Sequence, residues 1–172
     1  MSIVQDWARN TIEENALVLD IESTGGSFSD EMIDLGIVDI STMEVIYSSL
    51  LKPTALLNVH AQKVHGITYE MLRRAPFLED EAIKINSILQ NRKIITYNVN
   101  FDKRLFYQSY NRYRLDFPEN TVWECLMEKC TKYFNSQLKL DVVCDNLNLK
   151  KGNHRAAPDA LAAARVLKEL AK

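Results

Sequence analysis

The stretch A-L-V-L-D-I-E-S-T-G, residues 16–25, constrains the fold of this chain more than any other. Its run of consecutive aliphatic residues is typical of a strand buried on both faces, although this pattern alone also fits a buried helix. The Gly25-Gly26 pair and the polar residues up to Asp30 end the run early, which favours the strand. Because side chains alternate along a strand, Asp20 and Glu22 project from the same face.

The two carboxylates at the end of this strand repel each other unless a positive charge lies between them. A divalent cation, which prefers oxygen ligands, is the simplest such partner. The alternative interpretation is a surface turn whose two acidic side chains are only solvated. The stretch by itself allows both the metal site and the turn, so the choice depends on the other motifs of the chain.

The length of 172 residues suits one domain with a proper core, and we expect a single domain over residues 1–172 with residues 1–14 as an N-terminal helical extension. No apolar run approaches the ~20 residues that cross a membrane, and the N-terminus lacks the apolar core of a signal peptide. We therefore expect a cytoplasmic protein without a membrane partner. A net charge of -2 argues against broad coating of nucleic acid but allows a local basic groove.

The cysteines are odd in number and lack the spacing of a metal site. They are Cys125, Cys130 and Cys144. We expect reduced thiols in or near the core rather than disulfides. Neither a disulfide framework nor a zinc centre is therefore predicted.

The hydrophobic pattern predicts strands first and helices afterwards. Two more strands, residues 31–40 and 44–51, follow the first one, and the short turn between them indicates an antiparallel meander. A short strand is predicted over residues 93–97. Helices are predicted over residues 3–14, 69–74, 78–92, 101–113, 122–134 (with a strand residue or two at its start), 140–147 and 157–172. This order indicates a mixed sheet with helices packed on it.

Two further patches place acidic residues near the starts of predicted helices. Asp102 closes the segment I-T-Y-N-V-N-F-D, and Asp159 lies in the first turn of the last helix. Either aspartate alone is also explained by a favourable interaction with a helix N-terminus. His154 follows Gly152 and Asn153 in a loop, where no core surrounds it, and its pKa range suits proton transfer near neutral pH.

Together these motifs resemble those of the DEDD family of 3′–5′ exonucleases (DnaQ-like), in its histidine-containing branch. The first family motif, acid-x-acid followed by Ser/Thr-Thr-Gly, is matched by D-I-E-S-T-G, and the second by N-V-N-F-D. The third, His-x-Ala-x-x-Asp-Ala, is matched by H-R-A-A-P-D-A. The segment V-H-G-I-T is similar to one that links these motifs in the family. Order and spacing agree over residues 15–171.

The resemblance implies an α/β, ribonuclease-H-like fold: a mixed central sheet, with an antiparallel meander plus parallel strands, and helices on both faces. It implies two Mg²⁺ or Mn²⁺ ions held by Asp20, Glu22, Asp102 and Asp159. It also implies that His154 is the general base that takes a proton from the attacking water. One departure is Tyr97, which stands where the family often has histidine before the asparagine of the second motif. This departure concerns local packing or substrate contact rather than the metal ligands.

Substrate contacts are expected from residues beside these motifs. Thr24 and Gly25 lie just past the first two acids, where the backbone can approach a terminal nucleotide closely. His65 and Asn98 lie in matched motifs and would contact or shape the pocket for the strand end, although a hydrogen bond that orders its loop explains His65 equally well. Phe101 is expected to pack under the site rather than stack on bases.

Basic residues beside the predicted general base are the expected phosphate contacts. Lys150, Lys151 and Arg155 flank His154 in the sequence, and Arg155 is the nearest of them. A basic side chain at this place can bind the backbone of a nucleic-acid strand next to the catalytic loop.

The function implied is a metal-dependent 3′–5′ exonuclease acting on single-stranded or frayed 3′ ends of nucleic acid, with DNA favoured and nucleoside 5′-monophosphates as products. An RNA-trimming enzyme similar to oligoribonuclease or RNase T is one alternative. A proofreading subunit that mainly binds a polymerase is another. Because the chain ends at Lys172, without the C-terminal extension of the polymerase III proofreading subunit, we expect a free-standing enzyme rather than one with a polymerase partner. The resemblance also leaves a homodimer open, because related free-standing enzymes are often dimers.

Overall fold

A computed structural model describes residues 3–172, so Met1 and Ser2 of the predicted extension lie outside the described residues. The strands are β1 Leu17–Ser23, β2 Met32–Asp39, β3 Glu44–Leu50, β4 Lys93–Thr96 and β5 Val122–Cys125. The helices are α1 Ile3–Glu13, α2 Val59–His65, α3 Tyr69–Leu72, α4 Leu78–Leu89, α5 Val99–Arg112, α6 Leu126–Phe134, α7 Leu140–Asn146 and α8 Ala156–Leu170. Within the described residues, no helix is long and apolar enough to cross a bilayer.

The strands form one five-stranded sheet in the order β3-β2-β1-β4-β5. Strand β2 pairs antiparallel with both β1 and β3, which confirms the predicted meander. Strand β4 pairs parallel with β1 and β5. Because β1 and β4 run in the same direction, their carboxyl ends meet at one edge of the sheet. The start of α5, directly after β4, is thereby brought to the acidic end of β1.

Helices cover both faces of the sheet, as predicted, because the strands carry apolar side chains on both sides. On β1, Leu17 and Leu19 belong to the core shared with α4 and α5. Val18, on the opposite face, belongs to the core shared with α1, α6, α7 and α8. Asp20 and Glu22 have the same alternation as Val18, so they project towards the face that α8 covers.

Two elements differ from the prediction. Residues 122–125 form strand β5 where only one or two strand residues were expected before the helix, because pairing with β4 extends the strand. Helix α2 was not predicted. It begins after Asn58, whose side chain accepts the N–H groups of His60 and Ala61, and it ends at Gly66 with φ +70°.

The cysteines lie in the core, as expected from the sequence. All of them are buried free thiols, which confirms the expectation of reduced core residues. Burial raises the pKa of Cys144 to about 11 and that of Cys130 to about 12. At neutral pH both thiols are therefore protonated and serve as small apolar side chains.

Candidate active site

A pocket of about 240 Å³ lies where the end of β1 meets the first turns of α5 and α8. The five residues predicted to carry chemistry all line this pocket: Asp20, Glu22, Asp102, His154 and Asp159. The carboxylates of Asp20, Glu22 and Asp159 each place one oxygen within 4.8 Å of the other two. The fold thus brings together side chains that are up to 139 positions apart in the sequence.

The approach of α8 to the sheet depends on Gly36, which pairs with Asp20 across β1 and β2. A Cβ atom at Gly36 would lie 2.3 Å from the backbone nitrogen of Ala157, so only glycine allows this contact. The carboxylate of Asp34, two residues earlier on β2, accepts the Ala156 N–H at 3.2 Å. These contacts fix the first turn of α8 and therefore the position of Asp159.

Four acidic side chains that line the pocket, those of Asp20, Glu22, Asp102 and Asp159, have raised pKa values. Burial first, and then the nearby charge of Asp102, raises the pKa of Asp20 well above its ordinary value. Burial is also the largest cause for Glu22 and Asp102, whose pKa values rise to about 8 and about 7. The pKa of Asp159 is raised for the same reason. Full ionisation of these carboxylates at neutral pH is therefore favoured by a compensating positive charge, and without one part of the group stays protonated.

The donor set of the pocket fits a divalent cation. Among the described residues, no lysine or arginine forms an ion pair with Asp20, Glu22, Asp102 or Asp159. Carboxylate oxygens are the hard ligands that Mg²⁺ and Mn²⁺ prefer. Of residues 3–172, no cysteine and no histidine besides His154 lines the pocket. The cluster can therefore hold a divalent cation through oxygen ligands.

His154 lies on the loop before α8, with its side chain exposed at the mouth of the pocket. Its backbone has φ +57°, and its N–H donates to Oδ1 of Asp159 at 3.2 Å. The N–H of Asn153 donates to the same oxygen at 2.9 Å. Gly152 is needed here, since a Cβ atom would lie 1.7 Å from that oxygen. The carboxylate of Asp159 therefore orders the loop that carries the imidazole.

A second pocket of about 420 Å³ adjoins the first and shares Glu22 and Phe101 with it. Gly25 and His65, both predicted substrate contacts, line this second pocket. Phe101 lies between the two pockets and packs against the core under α5, in agreement with the expected packing role. Asn98 is exposed and lines the first pocket instead.

Thr24 is buried and lines neither pocket. Its hydroxyl donates to Oδ1 of Asp30 at 2.8 Å and accepts the N–H of Glu31 at 2.9 Å. A Cβ atom at Gly25 would lie 2.8 Å from the same Asp30 carboxylate. Thr24 and Gly25 therefore shape the turn after β1, and a direct contact of Thr24 with substrate stays a prediction.

His65 makes the hydrogen bond that was the alternative explanation for it. Its Nδ1 accepts the N–H of Ile67 at 3.0 Å, so the ring proton is on Nε2, which faces the carbonyl oxygen of Ser23 at 3.2 Å. Burial lowers the pKa of this imidazole. A neutral His65 thus joins the end of α2 to the end of β1 while one side of the ring lines the second pocket.

Two of the basic residues around His154 form ion pairs away from the pocket. The Arg155 guanidinium donates from Nε to Oδ2 of Asp34 at 2.7 Å, and Lys151 pairs with Asp145. A phosphate contact by Arg155 stays a prediction. The cation that lines the acidic pocket is Lys139, beside α7, which the sequence reasoning missed because K-L-D at a helix start is an ordinary pattern.

Comparison with known proteins identifies the family. A family model described as "Exonuclease" matches residues 17–167, which include every acidic residue of the pocket and His154. The chain belongs to this exonuclease family. The predicted membership of the DnaQ-like DEDD exonucleases is thereby confirmed, and so is the ribonuclease-H-like architecture.

Individual relatives agree with this assignment. An exonuclease of Escherichia phage 186, named "Uncharacterized exonuclease CP81", is 30% identical over 113 residues, which are 66% of this chain and 58% of that protein. The DNA polymerase III subunit epsilon of Pasteurella multocida is 29% identical over 161 residues, covering 84% of this chain and 63% of that protein. The chain spans less than two thirds of the length of both relatives. The epsilon subunit weakens the expectation that a polymerase partner is absent.

Among solved structures, the nuclease domain of 3′hExo, described as a DEDDh family member bound to rAMP, has a TM-score of 0.73 with this chain. The alignment covers 88% of both chains at 16% sequence identity. At that identity the likeness concerns the fold alone. It agrees with the mixed five-stranded sheet and its covering helices described above.

Proposed function

We propose that this chain is a metal-dependent 3′–5′ exonuclease that removes nucleoside 5′-monophosphates from single-stranded or frayed 3′ ends, with DNA favoured. The observation that carries this proposal is the convergence of Asp20, Glu22 and Asp159 within 4.8 Å of one another. Asp102 lines the same pocket, and His154 is at its mouth. Family membership alone gives the reaction class, whereas this geometry supports an intact catalytic site.

Asp20, Glu22, Asp102 and Asp159 would hold two Mg²⁺ or Mn²⁺ ions. When bound, such a pair of ions lowers the pKa of the attacking water and stabilises the leaving 3′-oxygen. Asp20 is the central ligand in this proposal, since its pKa is raised by the charges of Asp102, Glu22 and Asp159 after burial. Asp102 is buried, whereas Asp20, Glu22 and Asp159 are partly exposed, so ions would reach them from the pocket.

His154 is the proposed general base. Its exposed imidazole can accept the proton of the attacking water at a ring nitrogen and release it to solvent. The two backbone N–H groups that bind Asp159 keep the loop beside the scissile phosphate. The same aspartate thus serves as a ligand and orders the residue that moves the proton.

The second pocket is the proposed site for the terminal nucleotide. Its floor includes the backbone of Gly25 and Gly26, and its apolar walls include Val64 and Phe101. Apolar walls suit a base or sugar, and a volume of about 420 Å³ is in the range of pockets for small ligands. Because it shares Glu22 with the acidic pocket, a nucleotide there would present its 5′-phosphate to the acids.

The choice of DNA rests on the relatives. The Pasteurella relative is named as a DNA polymerase III subunit, whereas the solved 3′hExo domain holds rAMP. An RNA-trimming activity is therefore the second candidate. The sugar selectivity would come from contacts to the 2′-hydroxyl in the terminal pocket.

End-labelled DNA and RNA oligomers of matched sequence test the proposal. Digestion with Mg²⁺ should shorten the DNA strand from its 3′ end, release 5′-mononucleotides, and stop when EDTA is added. Faster digestion of the RNA strand would reverse the substrate preference. No digestion of either strand with Mg²⁺ or Mn²⁺ would defeat the proposed activity, and capture of a stoichiometric polymerase by the inactive chain would favour the proofreading-subunit alternative.

A further inference from the structure

A groove of about 390 Å³ continues from the acidic pocket along the segment between α6 and α7. The groove and the acidic pocket share four lining residues, which are Tyr97, Asn98, Lys139 and Leu140. The groove and the terminal-nucleotide pocket share none. The acidic pocket is therefore flanked by two separate cavities, one reached past Glu22 and Phe101 and the other past Lys139.

Lys139 is the only lysine or arginine among the described residues that line either the acidic pocket or this groove. It is exposed, at the residue before α7, and within the described part of the chain its ammonium group has no hydrogen bond or ion pair. No aspartate or glutamate lines the groove itself. An exposed, unpaired ammonium group between an acidic centre and an uncharged groove suits a phosphate.

We propose that this groove binds the nucleotide on the 5′ side of the scissile bond and that Lys139 binds its phosphate. The inference rests on the proposed function, because a strand whose last nucleotide fills the terminal pocket has to leave the acidic centre on its other side. The groove walls are mostly apolar, with Met127, Leu138 and Leu140, and Gln137 supplies an amide. Such walls hold a sugar and base without reading a base sequence.

Tyr97 is a positioning residue for this groove. Its ring is buried, and its hydroxyl donates to the carbonyl oxygen of Leu138 at 2.6 Å, next to Lys139 in the chain. This bond joins the end of β4 to the segment that carries the lysine. The tyrosine stands where the resemblance expects histidine, so the departure noted in the sequence has a structural consequence in the groove rather than at the acids.

The test compares two substrates that differ only in whether they reach the groove. The p-nitrophenyl ester of thymidine 5′-monophosphate occupies the terminal pocket and the acidic centre, whereas a short oligothymidylate also fills the groove. Lys139→Gln should lower kcat/KM on the oligomer by about 10- to 100-fold, the range for a lost hydrogen bond to a charged group, and leave the ester within about twofold. Tyr97→Phe should show the same selectivity with a smaller loss. Lys132→Gln, an exposed lysine of α6 outside both cavities, is the matched control.

An equal loss on both substrates would place Lys139 at the chemical step and overturn the inference. Unchanged cleavage of the oligomer by Lys139→Gln would overturn it as well. If the unsubstituted chain cleaves neither substrate, the proposed function fails. Binding of a labelled oligothymidylate, measured by anisotropy with Ca²⁺, then still tests the groove. The affinity of Lys139→Gln for the oligothymidylate should fall by a similar factor. An affinity equal to that of the unsubstituted chain would refute phosphate binding by Lys139 in the groove.

Discussion

Glu22 and Asp34 face each other across β1 and β2, yet the two carboxylates differ in whether an arginine pairs with them. Asp34 is buried and accepts hydrogen bonds from the Arg155 guanidinium and from the N–H of Ala156. Glu22 is half-buried, and among the described residues no lysine or arginine forms an ion pair with it. One member of this cross-strand pair is thus neutralised by the protein, and the other is left for a ligand.

Glu31, like Asp34, is a buried carboxylate that pairs with an arginine of the protein. It is 1% exposed, pairs with Arg112, and accepts hydrogen bonds from the backbone and hydroxyl of Thr54. A buried carboxylate with such partners holds two segments together. Among the described residues, no lysine or arginine pairs with the acids around Asp20, so these carboxylates add little to stability and are free to bind a cation.

The largest effect is expected for Asp20→Asn. This change should lower exonuclease activity by more than about a thousandfold, because a divalent ion stabilises the transition state by several kcal/mol. The melting temperature without metal should stay equal or rise, since a buried charge among like charges is removed. Digestion of a labelled oligomer measures the activity, and thermal unfolding measures the melting temperature. Activity within tenfold of the unsubstituted chain would contradict the role of Asp20.

His154→Ala should have the next largest effect. General bases contribute about 10²- to 10⁴-fold, so kcat should fall by that factor while metal affinity changes little. Asp159 remains to hold the loop through the backbone N–H groups of Asn153 and His154. Turnover at several pH values, together with calorimetric titration of Mn²⁺, checks both statements. Unaltered turnover near neutral pH would exclude the base role.

Asp34→Asn should act mainly on stability, because the asparagine oxygen can still accept the N–H of Ala156 and keep the first turn of α8, and with it Asp159, in place. The free energy of unfolding should fall by about 1–3 kcal/mol, because the Arg155 guanidinium loses its charged partner. Since that guanidinium is about one third exposed, the lower part of the range is expected. Urea denaturation measures the change, with Asp145→Asn, an exposed partner of Lys151, as the control. A loss of activity without a loss of stability would contradict the structural role of Asp34.

The smallest effect is a pH dependence of the metal-free protein. The native pKa values of Glu22 and Asp102 are raised to about 8 and about 7, well above the unfolded values near 4. Between about pH 4 and pH 8 the native state therefore holds more protons than the unfolded state, so the free energy of unfolding falls as pH rises. Melting in EDTA at several pH values should show a flatter slope for Glu22→Gln than for the unsubstituted chain. Identical slopes would refute this contribution of Glu22.

Local patterns suffice where neighbouring residues determine the structure. The apolar run before Asp20 and the meander follow from periodicity and punctuation. The meeting of the acids in one pocket was implied by the resemblance to the DEDD exonucleases, because Asp102 and Asp159 taken singly also fit ordinary helix starts. The full length of strand β5 was not predicted, because its four residues become a strand through pairing with β4. The pairing of Arg155 with Asp34 and the position of Lys139 depend on how distant segments pack. No pattern within either segment indicates them.

The contact at Gly36 determines how closely the acidic residues of β1 and α8 approach each other. Main-chain atoms of β2 and of α8 touch there directly, so the gap between the sheet and the helix is set by atomic radii rather than by a side chain. Core residues elsewhere on that face can change volume while this spacing stays fixed. The separation of Asp20 from Asp159 thus depends on the absence of a Cβ atom at position 36.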